Sequence, residues 1–577
     1  MKSILKYMGS YKKEIVLAPL FKLLEAIFEL FVPLVVAAII DVGIAGGDMG
    51  YIIKCCLIML ILGIIGLACA ISAQFFAARA AVGFSSRVKQ VLFDHIQKFS
   101  YTDLDTLGTS SLITNMTSDI NQVQTGVNLV LRLFLRSPII VFGAMIMAFT
   151  IDIKSAIPFV ILIPVLSAVV FGIMLATIPL YKKVQNKLDK LLGIARENLN
   201  GTRVIRAFNR QNAEIQDFQG ANEDLNGLQK FVGKISALMN PLTFVIVNVA
   251  IICLIRGGAF QVDSGNISQG ELIALYNYMS QILVELVKLA SLIITITKAT
   301  ACGNRIGEVL SKVPETTDQP QNDPLPTNRS AIAFRDVSMT YKSAGAESLE
   351  GITFDIEHGQ TLGIIGSTGS GKSTLVNLIP RFYHAGKGQI LIDGKDIESY
   401  SEESLRDKIG VVAQKSVLFK GTIRSNLQWG DAHADDTVFD EALKTAQAYD
   451  FVMQKDGGLD APVEQSGKNF SGGQRQRLCI ARALTKRPEI LILDDSASAL
   501  DYATDAKLRM ALRELPHHPT TVIVSQRTAS IMHADKIVVL DDGRMVGVGT
   551  HDELMQNCPV YIEIYQSQFS GNEGNNK

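Results

Sequence analysis

Cysteine, tryptophan and histidine are scarce in this 577-residue chain, at seven, one and eight residues. The cysteines (Cys55, Cys56, Cys69, Cys253, Cys302, Cys479 and Cys558) are odd in number and match no zinc-ligand spacing. They therefore offer neither a disulfide framework nor a structural zinc site, and they read as reduced thiols acting as small apolar residues. Neither sign of charge is in excess: 55 Lys and Arg against 56 Asp and Glu leave a net charge of -1. That balance gives no reason to expect nucleic acid as a partner. Charged residues make up only 19% of the chain, and the mean hydropathy is positive at +0.23. The start also lacks a cleavable leader pattern. Lys2, Lys6, Lys12 and Lys13 precede an apolar stretch that is too long for a signal core and has no small-residue cleavage site behind it. It reads as a first membrane helix whose N-terminal side stays in the cytoplasm.

The apolar residues crowd into long runs before about residue 300. A bilayer core takes about 20 mostly apolar residues per helix, and six runs qualify: 15–42, 52–82, 127–150, 155–180, 235–262 and 270–298. Loop charges orient them. The loop from Asp41 to Gly50 has two acids and no base, and the loop near Asp152 is very short; both read as external. The segment between helices 2 and 3 carries Arg87, Lys89 and Lys98, with Arg132 and Arg136 near helix 3. The segment between helices 4 and 5 carries Lys182, Lys183, Lys187, Lys190, Arg196, Arg203, Arg206 and Arg210. Both read as cytoplasmic. They are long, polar and rich in helix formers, so helices 2–3 and 4–5 are expected to extend beyond the lipid, turning near Thr106–Ser118 and near Asn200–Arg210. Within the spans, Lys22, Glu25 and Glu29 lie at helical spacing on helix 1, and Asn277, Gln281, Glu285 and Lys288 form a stripe on helix 6. Intramembrane ionisable groups face protein or water. The helix 6 stripe either lines a translocation cavity or pairs its charges at a helix contact.

Four of the 17 prolines (Pro314, Pro320, Pro324 and Pro326) fall between Val313 and Ser330, in a segment that reads as a linker. Beyond it, strand and helix patterns alternate as in an α/β domain. The expected division is a six-helix membrane domain over 1–310, a linker over 311–330, an α/β P-loop domain over 331–570 and a polar tail over 571–577. Gly366-Ser367-Thr368-Gly369-Ser370-Gly371-Lys372-Ser373-Thr374 fits the phosphate-binding loop, between a strand-like and a helical run. Its glycines let backbone N–H groups converge on phosphate oxygens, and the helix start adds positive potential. Lys372 would reach the β- and γ-phosphates of ATP, and Ser373 would bind Mg²⁺. Ile490–Asp494 is an apolar strand ending in an acid, which suits Asp494 as a second Mg²⁺ ligand.

Asn469 to Arg477 (NFSGGQRQR) resembles the signature motif of the ABC transporter ATPases. The resemblance covers essentially the whole chain, because six membrane helices followed by an ATPase is the half-exporter arrangement. It implies that Tyr341 stacks on adenine, that Gln414 is the Q-loop glutamine near Mg²⁺, that Glu464 is the acid ahead of the signature, and that Ser498-Ala499-Leu500-Asp501 is the D-loop. Glu197–Phe208 is similar to the second coupling loop of that class. The resemblance also implies two ATPase domains meeting head to tail, with ATP bound between one chain's P-loop and the other chain's Ser471, Gly472, Gly473, Gln474 and Asp501.

Two positions depart from the family pattern. The residue after Asp494 is Asp495 instead of the catalytic glutamate, and the switch histidine is replaced by Gln526. Aspartate is one methylene shorter, and a displacement of about 1 Å costs on the order of 100-fold in rate. Glutamine can hydrogen-bond but cannot carry a positive charge or relay a proton. The chain is therefore expected to be the degenerate-site subunit of a heterodimer, with a homodimer as the alternative. The expected activity is ATP-driven export of amphipathic drugs, lipids or peptides across the plasma or inner membrane. The competing reading is a regulatory or channel-like protein that ATP gates without pumping.

Overall fold

The computed structural model describes residues 2–313, 330–342 and 344–569. The 311–330 linker lies almost entirely outside the described residues, and the 571–577 tail wholly so. The chain divides into two compact units: 1–97 with 108–313, and 98–107 with 314–577.

The first unit consists of six long helices: α1 (Ser3–Ile44), α2 (Met49–Ile96), α3 (Thr109–Ile151), α4 (Ile153–Asn200), α5 (Gln211–Asp263) and α6 (Gln269–Ser311). Each expected span lies inside one of them. At ~1.5 Å of rise per residue, their 42 to 53 residues far exceed the ~30 Å of a hydrocarbon core. The extensions beyond the lipid are therefore helical, as expected.

Among α1, α3, α4, α5 and α6, the core includes Leu30, Ala144, Phe159, Leu254 and Tyr278. Tyr278 donates its hydroxyl to the Leu30 carbonyl at 2.6 Å, so even this buried aromatic is satisfied. Helix α6 starts at a capping box of Ser268 and Glu271. Asp41 reinforces that start by accepting from the Gly270 amide at 2.7 Å. The α4–α5 connection turns on the short helix Thr202–Ala207, where it was expected. The α2–α3 connection differs. It turns through residues 97–108 with the short helix Tyr101–Leu107, and Thr109–Thr114 is already helical again. The physical reason lies in tertiary contacts of the second unit, to which residues 98–107 belong: Tyr101 stacks on Phe382 at 4.5 Å, and Tyr383 donates to Asp105 at 2.7 Å.

The helix 6 stripe combines features of its two readings, because its charged members both pair and border a cavity. Glu285 is buried and accepts from Arg136 at 2.6 Å, Ser137 at 2.8 Å and Lys288 at 2.9 Å. Glu285 also lines a cavity, together with Asn277, Gln281 and Lys288.

The second unit is built on a ten-stranded sheet: β1 (Ile332–Met339), β2 (Leu349–Ile356), β3 (Thr361–Gly366), β4 (Lys387–Ile392), β5 (Lys395–Asp396), β6 (Ile409–Val412), β9 (Ile490–Asp494), β10 (Thr520–Val524), β11 (Lys536–Asp541) and β12 (Arg544–Gly549). The small pair β7 (Gly421–Thr422) and β8 (Pro462–Val463) stands apart. The strand order is β5-β4-β1-β2-β12-β11-β3-β10-β9-β6, and β3, β10, β9 and β6 run parallel. Both faces of the parallel part are covered, so β9 is buried at every residue and reads as a continuous apolar run. Successive side chains point to opposite faces: Ile490 and Ile492 join one core, Leu491 and Leu493 the other.

Candidate ATP site

The parallel strands end at one edge of the sheet, and the candidate residues gather there. Strand β3 runs into the loop Ser367–Gly371, then into helix α7 (Lys372–Leu378). Gly369 and Gly371 hold φ values of 88° and 94°, in a region that only glycine enters freely. A Cβ on Gly371 would also meet the Ser348 carbonyl at 2.8 Å. The loop's sharp turn thus depends on that glycine. Burial lowers the Lys372 pKa, and its ammonium donates to the carbonyls of Gly366 at 2.9 Å and Ser367 at 2.6 Å.

Strand β10 lies between β3 and β9 and pairs with both in register. That register brings Asp494 beside α7, where Ser373 donates to its carboxylate at 3.2 Å. Burial raises the pKa of Asp494 and of Asp495. Asp495 has a φ of 47°; its amide donates to the Val524 carbonyl at 3.0 Å, and the neighbouring Gln414 side chain offsets part of the rise in its carboxyl pKa. A cavity of about 590 Å³ opens on this edge, lined by Tyr341, Thr368, Gly369, Gly371–Thr374, Gln414, Asp494, Asp495 and Gln526. Tyr341 donates to Thr374 at 3.2 Å. The two positions that depart from the family pattern thus share one cavity with the P-loop.

Ser471, Gly472, Gly473 and Gln474 do not line that cavity, nor does Asp501. They sit at helix starts. Ser471 and Gln474 form a reciprocal capping box at the head of α8 (Gly472–Thr485), and Asp501 caps the next helix by accepting from the Thr504 amide at 2.9 Å. Both helices therefore present capped N-termini outside their own chain's P-loop cavity.

Three residues escaped sequence reasoning. Buried Gln476 donates to the Asp495 carbonyl at 3.3 Å. Arg527 donates to the carbonyls of Leu500 at 3.1 Å and Ser498 at 3.2 Å. Gln568, on the last helix, donates to the Gln526 carbonyl at 2.7 Å and accepts from the Thr528 amide at 2.8 Å. Gln476 lies within the Asn469–Arg477 segment and Arg527 adjoins Gln526, the only signals available; Gln568 had none.

A model of the ABC transporter transmembrane region matches residues 15–286, and one described as ABC transporter matches 349–498. An uncharacterized ABC transporter ATP-binding protein of Mycobacterium tuberculosis is 37% identical over 98% of this chain and 97% of its own length. The chain belongs to the ABC exporter family. An ATP-dependent lipid A-core flippase of Saccharophagus degradans is 32% identical to this ABC exporter over 86% of this chain and 84% of its own. The solved structure of a bacterial Atm1-family ABC exporter with ATP bound superposes with a TM-score of 0.80 at 25% identity, covering 97% of this chain and 98% of that one. Membership makes the protein a multi-pass membrane half-transporter with an ATP-binding ATPase domain, of a class that acts as dimers in the bilayer.

Proposed function

We propose that this half-exporter works as the degenerate-site subunit of a heterodimer that drives amphipathic substrates across the membrane. The observation that carries the reading is the shared cavity: Asp495 and Gln526 line it together with Lys372, Ser373 and Asp494. The groups that bind nucleotide are present, and the two that activate water are altered together. Lys372 would release the Gly366 and Ser367 carbonyls to neutralise phosphate, with Tyr341 against the adenine. Ser373, Asp494 and Gln414 form an all-oxygen donor set, which suits Mg²⁺; the ion would neutralise charge on the phosphates. Asp495 would polarise water poorly from its shortened reach, and Gln526 supplies no cation. ATP held here would turn over slowly and clamp the dimer.

The intact signature, Ser471–Gln474, would complete a competent site on the partner's P-loop. The ATPase unit, the N-terminus and both long helical connections would be cytoplasmic, in a plasma or inner membrane. The domain limits proposed are 1–310 and 331–570.

The test is the double variant Asp495→Glu, Gln526→His in the assembled pair. A second hydrolysing site should raise turnover per dimer towards about twofold. Turnover unchanged at both sites would refute the degenerate-site reading. Accumulation of substrate against a gradient in vesicles separates pumping from ATP-gated leakage, which only equilibrates.

A further inference from the structure

The membrane unit holds a polar constellation that the ATP chemistry does not use. Lys22, Glu25 and Glu29 on α1, Arg136 on α3, and Glu285 and Lys288 on α6 form one chain of ion pairs. Lys22 meets Glu25 at 2.6 Å, Arg136 meets Glu29 at 2.7 Å, Glu285 at 2.6 Å and, more loosely, Glu25 at 4.0 Å, and Lys288 meets Glu285 at 2.9 Å. The external ends of these helices, Ile44, Ile151 and Gln269, lie about 15 residues from Glu29, Arg136 and Glu285. At ~1.5 Å per residue that is roughly 22 Å of depth on all three helices, past the middle of a ~30 Å core. Charge at that depth is costly and is kept where it pairs or meets a ligand.

The inner members are paired and nearly closed to solvent, and of the two Glu285 also borders the cavity that the outer members line. Arg136 and Glu285 are 9% and 4% exposed at the side chain. The outer two do more: Glu29 and Lys288 are 40% and 45% exposed, and both line a cavity of about 420 Å³. Val32, Pro33, Val36 and Val284 supply apolar wall. Gln281 also lines it, and its buried Oε1 has no hydrogen-bond partner.

Three features constrain the ligand. Three bases balance three acids, so a ligand head with net charge would bury an uncompensated charge. One carboxylate and one ammonium are both accessible, so each end of a dipolar head finds an opposite charge. The unpartnered acceptor on Gln281 calls for an N–H donor, which a quaternary ammonium lacks.

We propose that this cavity is the head-group subsite for a zwitterionic amphipath bearing an N–H-containing ammonium group, as in phosphatidylethanolamine. The ammonium faces Glu29 and Gln281, the anionic group faces Lys288, and the apolar body lies against the valine wall. This deepens the export reading by naming its substrate class and rests on it for directionality only.

Binding is therefore tested apart from transport. The purified full-length chain in detergent is offered equal phosphatidylethanolamine, phosphatidylcholine and phosphatidylglycerol, and adducts are counted by native mass spectrometry, with ATP binding as the check on folding. Phosphatidylethanolamine should exceed both others by about 5-fold. Glu29→Gln leaves the cavity one positive charge in excess, so its preference should move to phosphatidylglycerol. Gln281→Met should erase discrimination between ethanolamine and choline while sparing that against glycerol. N-dodecyl-3-aminopropanesulfonate, which has the same zwitterionic chemistry without a glycerolipid, identifies the source: competition by it marks general recognition of the head, and its failure to compete marks a lipid-specific site, both within the proposal. Equal adducts of all three lipids in the native chain, or an ethanolamine preference that survives both variants, would overturn it.

Discussion

Asp495 is held more tightly at its backbone than at its side chain. Its amide and carbonyl are bonded to Val524 and Gln476, and its φ of 47° is one that aspartate tolerates better than most residues. The carboxylate pays for that position by desolvation, which raises its pKa. A raised carboxyl pKa means that the folded state holds its proton more firmly than the unfolded chain. Stability therefore falls as pH rises from the ordinary aspartate value of about 3.9 through the raised folded value. Asp495→Asn should accordingly raise the nucleotide-free melting temperature at pH 7 by about 2 °C, and the gain should vanish towards pH 4. Thermal unfolding across that range, without nucleotide, reads it out; a variant less stable at pH 7 would contradict the assigned cause.

At the scale of elements, the site is a junction of loops that fasten one another. Arg527 follows Gln526, and its guanidinium lies 5.1 Å from the Tyr502 ring centroid while donating to the carbonyls of Ser498 and Leu500. One side chain thus ties the loop after β10 to the loop after β9. Removing it leaves the Ser498 and Leu500 carbonyls to find water and frees both loops. Arg527→Ala in the assembled pair should lower kcat about 10-fold with the KM for ATP nearly unchanged, because the change misplaces groups without removing a phosphate contact. A rise in KM alone would place Arg527 in nucleotide binding instead. The same view explains the first connection in the membrane unit. No proline or glycine stands between Gln97 and Leu107 to end α2. Aromatic packing of Tyr101 on Phe382 overrides the local helical preference there, which is why the turn comes earlier than its polar composition suggests.

For the whole molecule, the proposed division of labour across a dimer rests on what lies outside the P-loop cavity of one chain. Ser471–Gln474 and Asp501 cap their own helices outside the P-loop cavity of the same chain, so one chain by itself lacks the second wall that the family pattern requires. The purified chain, reconstituted alone in lipid, should bind Mg²⁺-ATP with turnover at least about 100-fold below that of the assembled pair. Filter binding and phosphate release on one preparation measure both. Brisk turnover by the chain alone would mean that Asp495 and Gln526 suffice and that a homodimer is the working form.

Much of this was legible before any coordinates. Apolar runs of membrane length, the Gly366–Thr374 loop, the NFSGGQRQR segment and the substitutions at 495 and 526 are local patterns, and local patterns survive in one dimension because each follows from hydropathy, backbone freedom or side-chain chemistry at fixed spacing. The pairing of Arg136 with Glu29 and Glu285, the orphaned Gln281 acceptor, the reach of Gln568 to Gln526 and the early turn at residues 97–108 were decided only in three dimensions. Where partners exist they lie tens to hundreds of residues away, and a charge, an amide or a tyrosine carries no sign in the sequence of whether, or by which distant group, it will be satisfied.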